Sequence, residues 1–257
     1  MEEVTPVSVS DIKIACALSN RNGLTSHKDF QRVSQDLIDS KKIMFSRLSW
    51  VQILNRYSNR PYENESMYET VERSLNMFHR MMEHNCIQPK QFVQDLFDVM
   101  EMRLPKINTF FIQGTKNAGK SLLLKSVAES CIYSAYCNQF LYQNRFSFQD
   151  LMFQRVCFVN EVQLDDLTVE VFKGIMEGMP TSVDRKYQSA QLLRRVPIIM
   201  TANKFPSDDL KFRSTHESAI RARMCYYMFH TMNDLQYFKL QFNPRMWSEL
   251  IEMYVEK

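Results

Sequence analysis

The sequence predicts an α/β fold: a three-layer core around a parallel central sheet, preceded by a small all-helical domain. Two patterns and one spacing carry that expectation. Up to Leu104 the apolar residues recur with a helical period, whereas past Pro105 short apolar runs alternate with helical stretches, the arrangement that builds a parallel sheet. Between the first of those runs and the helix after it stand Gly114 and Gly119, spaced as in a loop that wraps phosphate.

Taken in order, residues 1–28 are polar, carry the turn signals Thr5-Pro6 and Asn22-Gly23, and are expected to be a tail or linker. Residues 29–104 form the helical domain. Phe30, Val33 and Leu37 make one stripe, and Tyr68, Val71, Leu75 and Phe78 another. Pro89 suits a first helical turn, with Phe92, Leu96 and Met100 on one face after it. Residues 105–257 hold the strand-like runs Ile107 to Gln113, Arg155 to Val159 and Val196 to Thr201. A last helix opens with Asn243 as N-cap and Pro244 at its first position, and shows Met246, Trp247, Leu250, Ile251 and Tyr254 on one face.

Composition narrows the class. With 257 residues, 45% hydrophobic and 24% charged, the chain can bury one large core, which excludes a disordered protein. No apolar run approaches the roughly 20 residues of a membrane span, and Glu2 and Glu3 make the N-terminus acidic where a secretory signal is basic; a soluble protein with no membrane contact is expected. The six cysteines lie far apart without a C-x-x-C pair, as expected of reduced core thiols. A net charge of +3 permits a polyanionic partner but does not require one.

Gly114-Thr115-Lys116-Asn117-Ala118-Gly119-Lys120-Ser121 matches G-x-x-x-x-G-K-[ST], after the strand residues Phe110-Phe111-Ile112 and before a helix from Leu122 to Ser130. The chain has only five glycines, and two stand where a side chain would keep backbone N–H groups from the phosphates. Lys120 is expected to bridge the β- and γ-phosphates of ATP, and the Ser121 hydroxyl to hold Mg²⁺. Farther on, Val156-Cys157-Phe158-Val159 ends in Asn160-Glu161, which sets a carboxylate at the carboxyl edge of the sheet. Glu161 can there polarise the attacking water or hold a metal-bound water; alone, a strand-ending Glu is often a solvated charge. Val196 to Asn203 is a buried-strand run ending in an amide suited to the γ-phosphate or its water. Before it, Val183 to Gln188 and Arg194-Arg195 combine bases with Tyr187, which suits either a solvated loop or a grip on single-stranded nucleic acid.

These three motifs in this order resemble the superfamily 3 helicases of small DNA viruses, and in particular the large non-structural or Rep proteins of parvoviruses. The likeness runs from about Leu104 to Met228. It implies an AAA+-like core, a helical oligomerisation domain at 29–104, and ATP-dependent DNA unwinding, 3′ to 5′, by a homo-oligomeric ring, hexameric by the same likeness, in the host nucleus. It assigns the Walker A pair to Lys120 and Ser121, the Walker B end to Asn160-Glu161, the motif C asparagine to Asn203 and the hairpin lysine to Lys186. Arg145 to Asp150 resembles the short aromatic segment before Walker B. His216 to Met224 resembles the arginine-finger segment, which puts that role on Arg223 with Arg221 as rival. Many relatives have two acids where Asn160-Glu161 stands, so metal holding and water activation are expected to rest together on Glu161. A second hairpin lysine of some relatives is Gln188 here, with Arg185 as substitute. No His-x-His pair is present, so the family's nicking chemistry is expected to lie outside this chain. Two other classes fit the cradle: an ATP-binding scaffold with little turnover, and a P-loop kinase for a small molecule.

Overall fold

The computed structural model describes residues 12–13, 16, 30–57, 65–141, 148–185, 188–211 and 213–256. Ile12, Lys13 and Cys16 are helical, and among the described residues from Phe30 on four helices precede the sheet: α1 (Phe30–Ser46), α2 (Trp50–Tyr57), α3 (Val71–His84) and α4 (Pro89–Met100). After them come β1 (Thr109–Gly114), α5 (Lys120–Ser130), β2 (Ser134–Phe140), β3 (Val156–Leu164) and α6 (Val169–Glu177). A hairpin of β4 (Thr181–Arg185) and β5 (Gln188–Leu193) precedes β6 (Ile198–Ala202), α7 (Arg213–Arg221), β7 (Met224–Phe229) and α8 (Met246–Tyr254). The sheet is parallel throughout, in the order β2-β3-β6-β1-β7.

Alternation along the strands builds the three layers. Phe110 and Ile112 of β1 face a cluster with Leu123, Leu124 and Val127 of α5, Phe92 and Leu96 of α4, and Trp247 of α8. Phe111 faces the other cluster, with Phe172 and Ile175 of α6, Ile220 of α7 and Val183 and Leu193 from the hairpin root. A period of two on a twice-covered strand requires both faces to be apolar, which is why Phe110-Phe111-Ile112 is a continuous run.

The local signals resolve as follows. Pro89 stands in the first turn of α4, where its missing N–H costs nothing, and Phe92, Leu96 and Met100 are buried. Helix α3 begins at Val71 because Thr70 caps it, its hydroxyl accepting from the Arg73 N–H; Tyr68 therefore sits before the helix, bridged to Gln241. In α1 the stripe differs from the sequence expectation. Val33 is 59% exposed, and the buried positions are Ser34, Ile38 and Phe45, with Phe30 and Leu37 partly covered. At the C-terminus Asn243 does cap a turn, its Oδ1 accepting from the Arg245 N–H, but regular helix starts only at Met246.

Buried polar groups lock the preceding helices to the sheet layer. The Arg155 guanidinium, 1% exposed, donates to Leu48 O (2.9 Å) and Met100 O (2.7 Å). Arg195 donates to Leu104 O (2.7 Å), Ile107 O (2.9 Å) and Asn108 Oδ1 (3.0 Å). Trp50 and Trp247, rings 5.9 Å apart, donate their indole N–H to Ser130 and Ser126 of α5. A buried donor left unpaired costs about 1–3 kcal/mol, so these bonds fix the orientation of the helix that carries the cradle. Among the described residues no helix is long and apolar enough to cross a membrane.

Candidate nucleotide site

The Gly114–Ser121 loop turns back over the carboxyl end of β1 because two residues adopt left-handed backbone: Gly119 at φ 79° and Asn117 at φ 60°. Glycine tolerates that region freely and asparagine better than most residues. Gly114 is required for another reason. A Cβ there would lie 2.0 Å from Phe229 O, so the close approach of β1 to the end of β7 allows no side chain. The segment after β7 then braces the loop: Thr231 Oγ1 donates to Lys116 O (2.9 Å) and lies 2.7 Å from Thr115 Oγ1, and Met232 N–H reaches Asn117 O (3.4 Å).

Lys120 opens α5 and is 5% exposed. Its ammonium donates to Gly114 O (2.9 Å), Thr115 O (2.8 Å) and Asn203 Oδ1 (3.0 Å). Burial pulls its pKa below that of an ordinary lysine, against the opposing pull of Glu161. Ser121 Oγ donates to Asn160 Oδ1 (2.5 Å), and Thr201 Oγ1 donates to the same oxygen (2.9 Å) while lying 3.3 Å from Ser121 Oγ. Strand β3 does not end at Glu161 but kinks there, at φ 54°, and runs on to Leu164. The kinked Glu161 carboxylate accepts the Asn203 N–H (3.3 Å).

The strand order explains this convergence. Because β6 lies between β1 and β3, Asn203 at the end of β6 stands between Lys120 and Glu161 and bonds to both. The resulting cleft, about 330 Å³, is lined by Lys116 to Leu122 with Glu161 and Asn203. It presents backbone N–H groups and an ammonium on one wall and a carboxylate on the other, which suits a polyphosphate with a hydrated cation. The oxygens of Ser121, Asn160, Thr201 and Glu161 are hard donors of the type Mg²⁺ takes, but only one of them is charged. Among the described residues no three acidic, His or Cys groups cluster as a metal site, so a cation there has to draw its remaining ligands from phosphate and water.

Two features of the site have no motif in the sequence. Thr201 precedes Asn203 in an apolar run, and only its strand register brings its hydroxyl to Asn160. A second cleft of about 460 Å³ continues from the cradle through Asn117, Gly119 and Leu122 to Thr231, Met232, Leu235 and Gln236. Its walls come from residues more than a hundred positions apart, so no local pattern announces it.

The arginines of the α7–β7 segment do not enter this cleft. Arg223 pairs with Glu177 at the end of α6 (2.8 and 3.1 Å) and donates to Ala219 O (2.6 Å). Arg221 lies over the rings of Phe205 (4.5 Å) and Tyr226 (4.9 Å) and bonds Glu217 (3.2 Å). In the hairpin, Lys186 lies outside the described residues, as do the side chains of Arg185 and Gln188. Arg145 to Ser147 also lie outside them, whereas Phe148 stacks on Phe140 at 5.0 Å.

Comparison with known proteins identifies relatives of the chain. Residues 17–241 match the family model described as parvovirus non-structural protein NS1. The initiator protein NS1 of Junonia coenia densovirus is 25% identical over 208 residues, covering 79% of this chain and 36% of that protein. Protein Rep52 of adeno-associated virus 2 is 24% identical over 154 residues, 59% of this chain and 38% of that one. The chain thus spans about a third of the length of these curated relatives. Among solved structures, a JCV helicase with a bound acetamide compound superposes with a TM-score of 0.62 at 11% identity, over 93% of this chain and 72% of that one, a likeness of fold. A match over most of its length, on a sheet that carries the cradle and its two partner strands, makes this chain a member of the parvovirus non-structural protein NS1 family.

Proposed function

We propose that the chain is the ATP-driven helicase portion of a viral replication protein, hydrolysing ATP between neighbouring copies in a homo-oligomeric ring and moving 3′ to 5′ along DNA in the host nucleus. The observation that carries the reading is the convergence of Lys120, Asn203 and Glu161 on one cleft, each bonded to the next. A lysine held in that way is poised rather than free. Phosphate oxygens entering the cleft replace Gly114 O and Thr115 O as acceptors of the Lys120 ammonium, and the exchange adds charge to each hydrogen bond.

Ser121, with Asn160 and Glu161 beside it, would hold Mg²⁺, which when bound neutralises charge on the phosphates. Glu161 accepts a proton from the attacking water, and Asn203 orients that water while sensing the phosphate. The cleft between Asn117, Leu122, Met232 and Leu235 suits the nucleobase end of ATP, apolar walls with Gln236 at the rim. Arg223 acts on the neighbouring copy, which requires it to leave Glu177. The helices of residues 29–104 supply ring contacts, and Lys186 with Arg185 at the hairpin grips DNA. Duplex unwinding and the ring rest on the family reading, and the site chemistry supports ATP hydrolysis.

One observation favours a second reading, an ATP-binding scaffold with little turnover: position 160 holds a neutral amide and leaves a single charged oxygen donor at the site. Steady-state ATP hydrolysis across a range of protein concentrations, with and without single-stranded DNA and alongside Arg223→Ala, separates the two. Cooperative, DNA-stimulated hydrolysis that collapses in the variant supports the motor. ATP binding without turnover, even in a single-turnover experiment, supports the scaffold.

A further inference from the structure

The N-terminal edge of the sheet, opposite the nucleotide cleft, carries a further opening of about 250 Å³ between the end of α1, the turn before β3 and the root of the hairpin. Ile43, Arg47, Phe153, Leu192, Arg194 and Arg195 line it. Three features set it apart from an ordinary surface recess. All of its charge is of one sign: Arg47 and Arg194 are exposed and have no carboxylate partner among the described residues, and Arg195 is held by carbonyl and amide oxygens alone. Two large apolar side chains stand out into solvent beside these cations, Phe153 at 40% and Leu192 at 61% exposure. Finally, Phe153 is held at φ 61°, a strained conformation for a bulky residue that the surrounding chain has to enforce.

We propose that this opening is a contact for single-stranded nucleic acid at the root of the β4–β5 hairpin, in which Arg47 and Arg194 take phosphates and Phe153 stacks on a base. Guanidinium groups beside an exposed ring are the combination that binds a single strand without reading its sequence. An acidic peptide would satisfy the cations, whereas a single strand brings phosphates and stacking bases together at every nucleotide. Strand β5 spans six residues from Gln188 to Leu193, about 20 Å at a strand's rise. A strand held at the hairpin tip therefore reaches this root within a few nucleotides, and the two contacts act on one segment. Arg195 contributes position rather than grip: by tying Leu104, Ile107 and Asn108 to the start of β6, it keeps the root of the hairpin fixed against the helices.

This contact shares with the function proposed above the assumption that DNA is the polymer, and the test separates the two. Binding of fluorescein-labelled oligothymidylate is followed by anisotropy over a salt series for the full chain, for Arg47→Ala/Arg194→Ala and for Phe153→Ala, with thermal unfolding as the check on folding. The double variant is expected to lower the slope of log affinity against log salt by about 1.4, the value for two single-strand phosphate contacts. Phe153→Ala is expected to weaken binding roughly 5- to 100-fold with the slope unchanged, as loss of one stacked base does. Arg47→Lys/Arg194→Lys restores the slope. If the unmodified chain binds the oligonucleotide and the variants match it in affinity and slope, the contact is refuted while the DNA reading stands. If the variants instead change sedimentation without changing DNA affinity per subunit, the opening is a contact between copies and the proposal falls. An unmodified chain that binds ATP but no oligonucleotide overturns both.

Discussion

Asn160→Asp tests the division of labour at the nucleotide site most directly. Asn160 Oδ1 is the common acceptor for the hydroxyls of Ser121 (2.5 Å) and Thr201 (2.9 Å). An aspartate of the same shape keeps both bonds and adds one negative charge next to the position that a cation on Ser121 would take. Two unit charges about 4 Å apart interact by about 1 kcal/mol in bulk water, and a divalent ion doubles that figure. Asn160 is exposed, so the value near the water limit applies, and the gain is about 1–2 kcal/mol. Half-saturating Mg²⁺ for ATP hydrolysis should therefore fall by about 5- to 30-fold, and turnover should rise because Glu161 no longer serves both cation and water. The assay is a Mg²⁺ titration of initial rates at fixed ATP, with Asn160→Ala as the opposite control. A change under about twofold in Asn160→Asp would refute the reasoning, because phosphate and Ser121 would then hold the cation without help from position 160.

The remaining predictions concern the framework. Trp247→Ala removes a fully buried side chain bonded to Ser126 and packed on Trp50 and Phe78; it should cost about 3–5 kcal/mol in chemical denaturation, and two separate transitions in the parent would disprove the shared core. Gly114→Ala drives a Cβ to 2.0 Å from Phe229 O, so it should destabilise by about 3 kcal/mol and abolish the ATP-induced rise in thermal midpoint; a variant with full ATP stabilisation would contradict the close approach. Burial pushes the thiols of Cys131 and Cys225 up to about 12, a hydrogen bond with Cys137 together with burial holds that of Cys157 well above the ordinary cysteine range, and Cys86 is exposed. Alkylation at pH 8 followed by mass spectrometry should mark Cys86 first and leave Cys131, Cys157 and Cys225 unmodified in the native chain; raising the pH to 9 should not change that order.

Contiguous chemistry was legible in the sequence and non-local pairing was not. The Gly114–Ser121 cradle is one stretch of chain whose glycines, lysine and hydroxyl work at fixed spacing, so it could be read directly, as could Pro89 in its helical turn. Strands β2, SAYCNQF, and β7, MCYYMF, carried no clear alternation: among the described residues they are the two edges of the sheet, each paired on one side alone, to β3 and to β1, so their partial burial is set by distant segments and not by their own residues. Arg155 and Arg195 look like surface cations, yet they are held against the chain by carbonyl oxygens contributed by separate segments. The stripe on α1 shifted for the same reason: which face of a helix is buried depends on what packs against it, and among the described residues Ile12 and Cys16 pack with Ile38 while Val33 stays exposed.

By itself, then, the sequence determined the α/β class and singled out the Gly114–Ser121 loop, Glu161 and Asn203 as residues to expect at one site, because propensity, period and motif spacing act within short stretches of chain. Tertiary structure alone decided that β6 runs between β1 and β3, and so that Asn203 joins Lys120 to Glu161. It also decided that Thr201 orients Asn160, and that α8 returns to pack on the helices that precede the sheet. Those outcomes depend on strand order and on burial shared among distant segments, which are properties of the whole packed chain and not of any one stretch.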